Sequence, residues 1–382
     1  MILKTEGYSY NDLTIVPATL SPIRHRNECS IEDKNGMLPL FAAPMSCIID
    51  EHNYKIWKHY GVNTIIPRTV PYKTRFDLLC CGEWVALSLA EFEKLFCNDE
   101  DQLQGLAASM KVCIDLANGH MEHLYDTISK AKELVAKHRH NLVIMTGNIA
   151  NPDTFKWLWQ FSIPVDYIRL SIGSGHGCLT SSNTGVHYPI GSLIDECRQI
   201  KNDYHSNIKI VADGGIRNYK DINIALALGA DYVMVGSVFA GIAESSSNMY
   251  INNGEKEIEV LPYILDMLDA LGDENRMIKE NQNMKNMINS LHAKKKFYGM
   301  STPEAQIEIN KALETPVAFS KKTSEGLSKM VECKYTLKQW VENFSDYLKS
   351  AMSYTGSYTL EHFRNNTNLI INSTQTVGSV NK

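Results

Sequence analysis

Short apolar runs recur along the chain, each closed by a glycine or a polar cluster, and most lead into a stretch of helical periodicity. The runs are LPLFAA (38–43), VNTII (62–66), WVAL (84–87), KVCI (111–114), LVIM (142–145), YIRL (167–170), IKIVA (208–212) and YVMV (232–235). Residues 54–60, 121–137 and 219–228 bring apolar side chains back every three to four positions, the spacing of an amphipathic helix. A strand that is apolar on both faces needs cover on both, and helices alternating with such strands supply it. The pattern therefore predicts an α/β protein with a parallel sheet. Eight runs are the number that closes into a (β/α)8 TIM barrel, with an open doubly wound sheet as the competing architecture.

After the eighth run the pattern changes. Residues 249–296 are polar and rich in Asn, Lys and Met, with one apolar helical piece, VLPYILDMLDAL (260–271). They are expected to form a partly mobile insertion. Residues 298–326 have little periodicity and are expected to be a long loop; unstructured connections of that length usually serve a site. A terminal helix is predicted over 337–351. With no repeat and no Gly/Ser linker, the expected organisation is one barrel domain over 1–382, an insertion at 249–296 and an active-site flap at 297–330.

Composition narrows the class. The 382 residues are 44% hydrophobic and 21% charged, which excludes a disordered chain. No run approaches the ~20 apolar residues of a membrane span, and MILKTEGYSYNDL lacks the features of a secretory leader. A cytoplasmic protein with no membrane partner is expected. The net charge of −5 gives no general nucleic-acid footprint, so an anionic ligand would need a local site. Nine cysteines without a CxxC pair read as free thiols, most of them small buried hydrophobes. No HExxH or zinc-ligand spacing occurs.

Candidate chemistry gathers where the strands end. The sixth run leads to Gly173, Gly175 and Gly177, the seventh to Gly214 and Gly215, the eighth to Gly236 and Ser237. On a barrel these ends are neighbours at the C-terminal mouth, and glycine lets backbone N–H groups approach a phosphate. Ordinary tight turns would also explain each glycine singly. Cys178 lies in SIGSGHGCLTSSNTGV (171–186), outside any apolar run, whereas Cys113 sits inside one. Backbone N–H groups there would favour its thiolate; the alternative is a thiol without a role. Asp115 and Asp213 each follow a strand, where an acid can accept hydrogen bonds from a ligand or cap the next helix.

Several motifs occur together in one order: Asn11-Asp12, Pro44-Met45, DLANGH (115–120), TGNIA (146–150), the cysteine loop, YPIGS (188–192), ADGGIR (212–217), GADYVMVGSVFAG (229–241), FYGMS (297–301), SEG (324–326) and YTG (354–356). On these the chain resembles the IMP dehydrogenase/GMP reductase family, and DLANGH and FYGMS with SEG resemble its reductase branch. The resemblance implies a barrel that assembles as a homotetramer. The gap from Pro67 to Gly82 is too short for the CBS module that family dehydrogenases carry there, so no CBS module is expected.

The implied reaction is NADPH-dependent deamination of GMP to IMP and ammonia. By resemblance Cys178 would attack the purine C2, with Thr180 and Glu325 handling the proton for the departing amine. His176, Gly215, Gly236 and Ser237 would hold the phosphate, Asp213 the ribose, and Met45, Gly299, Met300 and Ser301 the purine. Asp115, Ala117, Asn118 and Lys322 would contact the cofactor. Gly173, Gly175 and Cys178 would form a loop for a monovalent cation such as K+. Departures from the family pattern are GSGH (173–176) for GPGS, Lys322 for an arginine and Leu327 for a lysine. The alternatives are an IMP dehydrogenase, which uses NAD, and a purine-nucleotide-binding barrel without turnover.

Overall fold

The computed structural model describes residues 6–98, 106–175, 179–251, 255–313 and 326–372. Each of the eight apolar runs forms a strand. A four-residue opening strand, β1 (Leu13–Val16), precedes them and pairs antiparallel with β14 (Asn368–Ile371) in a two-stranded sheet, tying the two ends of the described chain together. The barrel strands are β2 (Leu40–Ala42), β3 (Ile65–Ile66), β4 (Trp84–Leu87), β5 (Ser109–Ile114), β6 (Asn141–Ile149), β7 (Tyr167–Leu170), β8 (Lys209–Asp213) and β9 (Tyr232–Val235). They form one parallel eight-stranded sheet in the order β2-β9-β8-β7-β6-β5-β4-β3. Asn63, just before β3, closes the ring: its N–H donates to Leu40 O at 3.1 Å and its carbonyl accepts from Ala42 N at 2.8 Å. The result is a (β/α)8 barrel. Helices Glu122–Lys137 and Tyr219–Leu228 lie where helical spacing predicts them.

One end of the barrel is stoppered with rings. Trp84, Tyr167 and Tyr232 open their strands, and Phe41 packs among them at centroid distances of 5.2–6.2 Å, edge-on or tilted. Edge-to-face packing of this kind fills the N-terminal end with apolar surface. Polar side chains are left to the opposite, C-terminal end. β6 runs nine residues, well past the apolar LVIM that marks it in the sequence, because the register shifts between Gly147 and Ile149 and carries Asn148 to that mouth. Gly147 has φ +132°, and a Cβ there would stand 2.5 Å from Arg169 O. Only glycine fits.

The polar stretch after β9 is more regular than its composition predicts. β10 (Met249–Ile251), β11 (Lys256–Ile258), β12 (Lys294–Tyr298) and β13 (Ser328–Glu332) form an antiparallel sheet in the order β11-β10-β12-β13, with helices Leu261–Asp269 and Glu274–Leu291 between β11 and β12. The pattern is hidden because two inward positions are polar. Lys295 alternates inward with Phe297, and its buried Nζ donates to Ala243 O (2.8 Å), Ser245 O (2.6 Å) and Ser245 Oγ (2.9 Å), while burial pushes its pKa down to about 8. Asn281 takes an inward place beside Met277, Met284 and Ile288, donating to Met277 O (2.8 Å) and Tyr60 Oη (2.7 Å). Satisfying every donor makes such burial tolerable.

The expected long loop likewise contains a helix, Pro303–Ala312. Thr302 Oγ1 accepts from Ala305 N at its start, Pro303 suits the first turn, and Ala305, Ile309 and Ala312 turn inward. The terminal helix spans Leu337–Tyr354. Among the described residues no helix is long and apolar enough to cross a membrane.

Candidate active site

A cavity of about 360 Å³ opens at the C-terminal mouth, and the glycine-bearing strand ends meet there. Gly173 and Gly175 follow β7, Gly214 and Gly215 follow β8, and Gly236 and Ser237 follow β9; all six line the cavity. The close approach is real at Gly214, whose φ is +117° and where a Cβ would lie 2.7 Å from Ser174 Oγ. Ser171 and Ser174 share a short hydrogen bond between their hydroxyls. Ser237 begins the turn of helix Ser237–Ala240, so the wall offers a hydroxyl and backbone N–H groups to an anion.

The middle of the cavity is organised by Arg169, the third residue of β7. Its side chain is almost wholly buried. Nη2 donates to Asn148 Oδ1 at 2.7 Å, and both Nη atoms lie 3.2 Å from Asp115 Oδ1. Nε is 3.5 Å from Asp213 Oδ2, which also accepts from Asn148 Nδ2 at 2.8 Å. One cation thus holds two carboxylates, one just past the end of β5 and one at the end of β8, in fixed places. Burial works against the charge on Arg169, but Cys113, Asp213 and Asp115 outweigh it and its pKa is raised. Asp213 is shifted above the ordinary carboxylate value by burial, with Arg169 and Asn148 pulling the other way.

The third side comes from beyond the barrel. Phe297, Gly299, Met300, Ser301 and Gln306 close over the cavity opposite Met45. Gln306 Nε2 donates to Met300 O at 2.7 Å. Glu308 clamps this segment to the loop after β2: Oε2 accepts from Ser46 Oγ at 2.6 Å and Oε1 from Tyr298 Oη at 3.0 Å. Met45 and Met300 flank that clamp in the sequence, so their spacing across the cavity depends on it.

Thirteen of the sequence-derived site residues therefore line one space: Met45, Asp115, Ala117, Gly173, Gly175, Thr180, Asp213, Gly215, Gly236, Ser237, Gly299, Met300 and Ser301. Asn118 does not; it is exposed, and its Oδ1 accepts from His120 N at 3.0 Å. His176, Cys178, Lys322 and Glu325 lie outside the described residues. None of the described cysteines lines the cavity, and Cys113 is a packing thiol, pushed up to about 12 by burial. Sequence reasoning missed Arg68, Asn148, Arg169 and Gln306. A signal for Arg169 was present, since an arginine inside the apolar run YIRL must find a carboxylate partner.

Residues 99–260 match the model of the IMP dehydrogenase / GMP reductase domain. That stretch holds β5 to β9, the three glycine-bearing strand ends and the Arg169 network. The chain carries an IMP dehydrogenase/GMP reductase family domain. The family consists of oxidoreductases of purine metabolism. A GMP reductase of Onchocerca volvulus is 27% identical over 308 residues, 80% of this chain and 70% of that protein. A GMP reductase of Yersinia enterocolitica is 34% identical over 205 residues, 53% of this chain and 54% of that protein. An inosine-5'-monophosphate dehydrogenase of Chlorobaculum parvum is 30% identical over 260 residues, 68% of this chain and 44% of that protein. Against most of its relatives the chain spans about half of their length or less. The match to the family domain stops short of residues 297–301, yet these close the same cavity as its strand ends.

Proposed function

We propose that the chain is a GMP reductase, converting GMP to IMP and ammonia at the expense of NADPH. The observation that carries this reading is the convergence, in one cavity, of three glycine-bearing strand ends, the Asp213 carboxylate and the 299–301 segment. Gly215, Gly236, Ser237 and His176 hold the 5′-phosphate. Asp213 accepts from the ribose hydroxyls, its position fixed by Asn148 and Arg169. Met45, Gly299, Met300 and Ser301 hold the purine.

Cys178 attacks C2 of the guanine, giving a covalent adduct from which the 2-amino group leaves. An amine leaves poorly until it is protonated, so Thr180 and Glu325 deliver the proton. Glu325 lies outside the described residues; in this reading it is the acid whose proton passes through Thr180 to the amine.

Bound NADPH would supply a hydride to C2, and the Cys178 sulfur would then leave with the C2–S bonding pair as thiolate, giving IMP. Residues suited to hold the cofactor are Asp115, Ala117, Asn118 and Lys322. Arg68 suits the cofactor's anionic part: it lines the cavity, and its Nε, 3.9 Å from Glu91 Oε2, makes no hydrogen bond among the described residues. A K+ ion would call on carbonyls at Gly173 and Gly175 beside Cys178; Gly173 O already accepts from Ser181 Oγ at 2.8 Å. The reading includes a homotetramer, which sedimentation velocity tests.

Purified protein given GMP with NADPH should oxidise the nicotinamide and release ammonia. NADH formed from IMP and NAD⁺ would instead assign IMP dehydrogenase, the activity named for the Chlorobaculum relative. Silence in both assays, with GMP still bound, would leave a nucleotide-binding barrel without turnover.

Glu308 supplies a separate test because it touches the walls and not the ligand. Glu308→Ala should raise KM for GMP roughly five- to thirtyfold, the effect of losing about 1–2 kcal/mol of positioning hydrogen bonds, with a smaller change in kcat. Glu308→Gln, which keeps one acceptor, should recover part of the loss. A KM equal to the parent's in both variants would remove Glu308 from this role.

A further inference from the structure

A second cavity, of about 440 Å³, lies beside the first and shares Ser237 with it. Its walls come from the turn after β8, the short helix after β9, and β13 with the turn that follows it. Apart from Ser237, none of its residues has a part in the reaction proposed above.

The charge around it is one-sided. Arg217, Lys329 and Lys334 line it, with Glu332 as the carboxylate among the lining residues. Glu332 Oε2 is already 2.7 Å from Lys334 Nζ. Arg217 and Lys329 remain, and neither makes an ion pair within 4 Å with a described residue. Asp221, whose Oδ2 accepts from Arg217 N at 2.8 Å, partly offsets Arg217. The chain as a whole is acidic at −5, so two cations without an ion-pair partner on one cavity wall are still a local feature and not the general surface. Lys329 Nζ also stands 5.8 Å from the centroid of Phe297, and Phe297 lines the first cavity. Ser237 lines both spaces, and the Phe297–Lys329 contact joins a residue of one to a residue of the other.

The remaining wall is aromatic. Tyr219, Tyr335 and Trp340 line it, Tyr219 and Trp340 with their centroids 5.1 Å apart. The volume exceeds what a single small ion needs. Guanidinium and ammonium groups set around a hydroxyl match the several oxygens of linked phosphates, which Arg can hold through two parallel N–H bonds.

We propose that this second cavity binds a polyphosphate-bearing anion, either free pyrophosphate or the tail of a nucleoside triphosphate, and that Ser237 transmits its occupancy to the neighbouring phosphate wall. The coupling to GMP rests on the function proposed above; the binding itself does not.

The test uses the full chain in calorimetry. Sodium pyrophosphate and GTP are titrated separately, with and without saturating GMP, into the parent and into an Arg217→Gln/Lys329→Gln variant. Both positions are exposed, so the variant should fold, and an unchanged melting temperature checks this. The expected result is one saturable event per chain that persists when GMP is bound, but with an affinity that GMP changes at least about threefold, as the coupling requires. The variant should weaken it at least tenfold while its own GMP affinity stays within about threefold. An affinity that GMP leaves unchanged would remove the coupling. GTP binding tenfold tighter than pyrophosphate would identify a nucleotide whose ring uses the aromatic wall; equal or weaker GTP binding would identify free polyphosphate. Displacement of GMP by either probe would overturn the proposal, as would equal affinity in the variant or no saturation by ~10 mM. Should GMP itself fail to bind, the substrate assignment falls, and the titrations without GMP still decide the second cavity.

Discussion

Cys178→Ala should abolish turnover, lowering kcat by ~10³-fold or more, while GMP affinity changes by less than about threefold. The asymmetry follows from the roles proposed. The sulfur forms a bond to C2 during the reaction, whereas the anion wall, Asp213 and the 299–301 segment hold the nucleotide without it. The check is a pair of measurements on one preparation: nicotinamide oxidation under saturating ligands and calorimetric GMP binding. Turnover within tenfold of the parent would end the nucleophile assignment. Loss of binding and turnover together would make Cys178 a structural residue of its loop.

Arg169→Met should have the largest effect on the folded protein. It removes the single cation that Asp115 and Asp213 share and leaves Asn148 Oδ1 without its 2.7 Å donor. Breaking a buried pair by deleting one partner costs about 3–5 kcal/mol, because the remaining charge stays buried without compensation. The pH dependence has a definite sign. Asp213 already sits above its ordinary value through burial, and Arg169 is the main influence pulling it down, so the variant raises it further. A carboxylate raised in the folded state keeps its proton longer than the unfolded chain does. Its contribution to stability is complete below the unfolded value and is lost as pH rises through the folded one.

The destabilisation of Arg169→Met should therefore be larger at pH 8 than at pH 5, in urea unfolding followed at both. Activity should fall as well, since both carboxylates lose their fixed positions. Asp115→Asn in the same background should recover part of the stability by removing one of the two charges. A loss of stability independent of pH would mean that packing, and not charge, dominates at this position.

The barrel was legible because its strands obey the simplest rule available. Each is a short, nearly continuous apolar run, and the glycines at three consecutive strand ends pointed to the mouth before any geometry was known. The elements after β9 were not legible for the opposite reason. Their inward positions include Lys295, whose ammonium donates to carbonyls of Ala243 and Ser245, 52 and 50 residues away, and Asn281, whose amide donates to Met277 O on its own helix and to the distant Tyr60 hydroxyl. Composition marks such residues as exposed.

What the sequence determined alone is a parallel sheet of eight strands covered by helices and the membership of most cavity residues, since strand ends that follow one another in the chain become neighbours whatever the details. That the sheet closes was decided by the pairing of Asn63 with Leu40 and Ala42. What only the tertiary structure decided is the charge network and the second cavity. Arg169 meets Asp115 and Asp213, 54 and 44 positions away along the chain, and Arg217 from the turn after β8 lines one cavity with Lys329 of β13. The physical reason is range: backbone pattern is a local property, while the electrostatic partner of a buried charge is chosen by proximity in space.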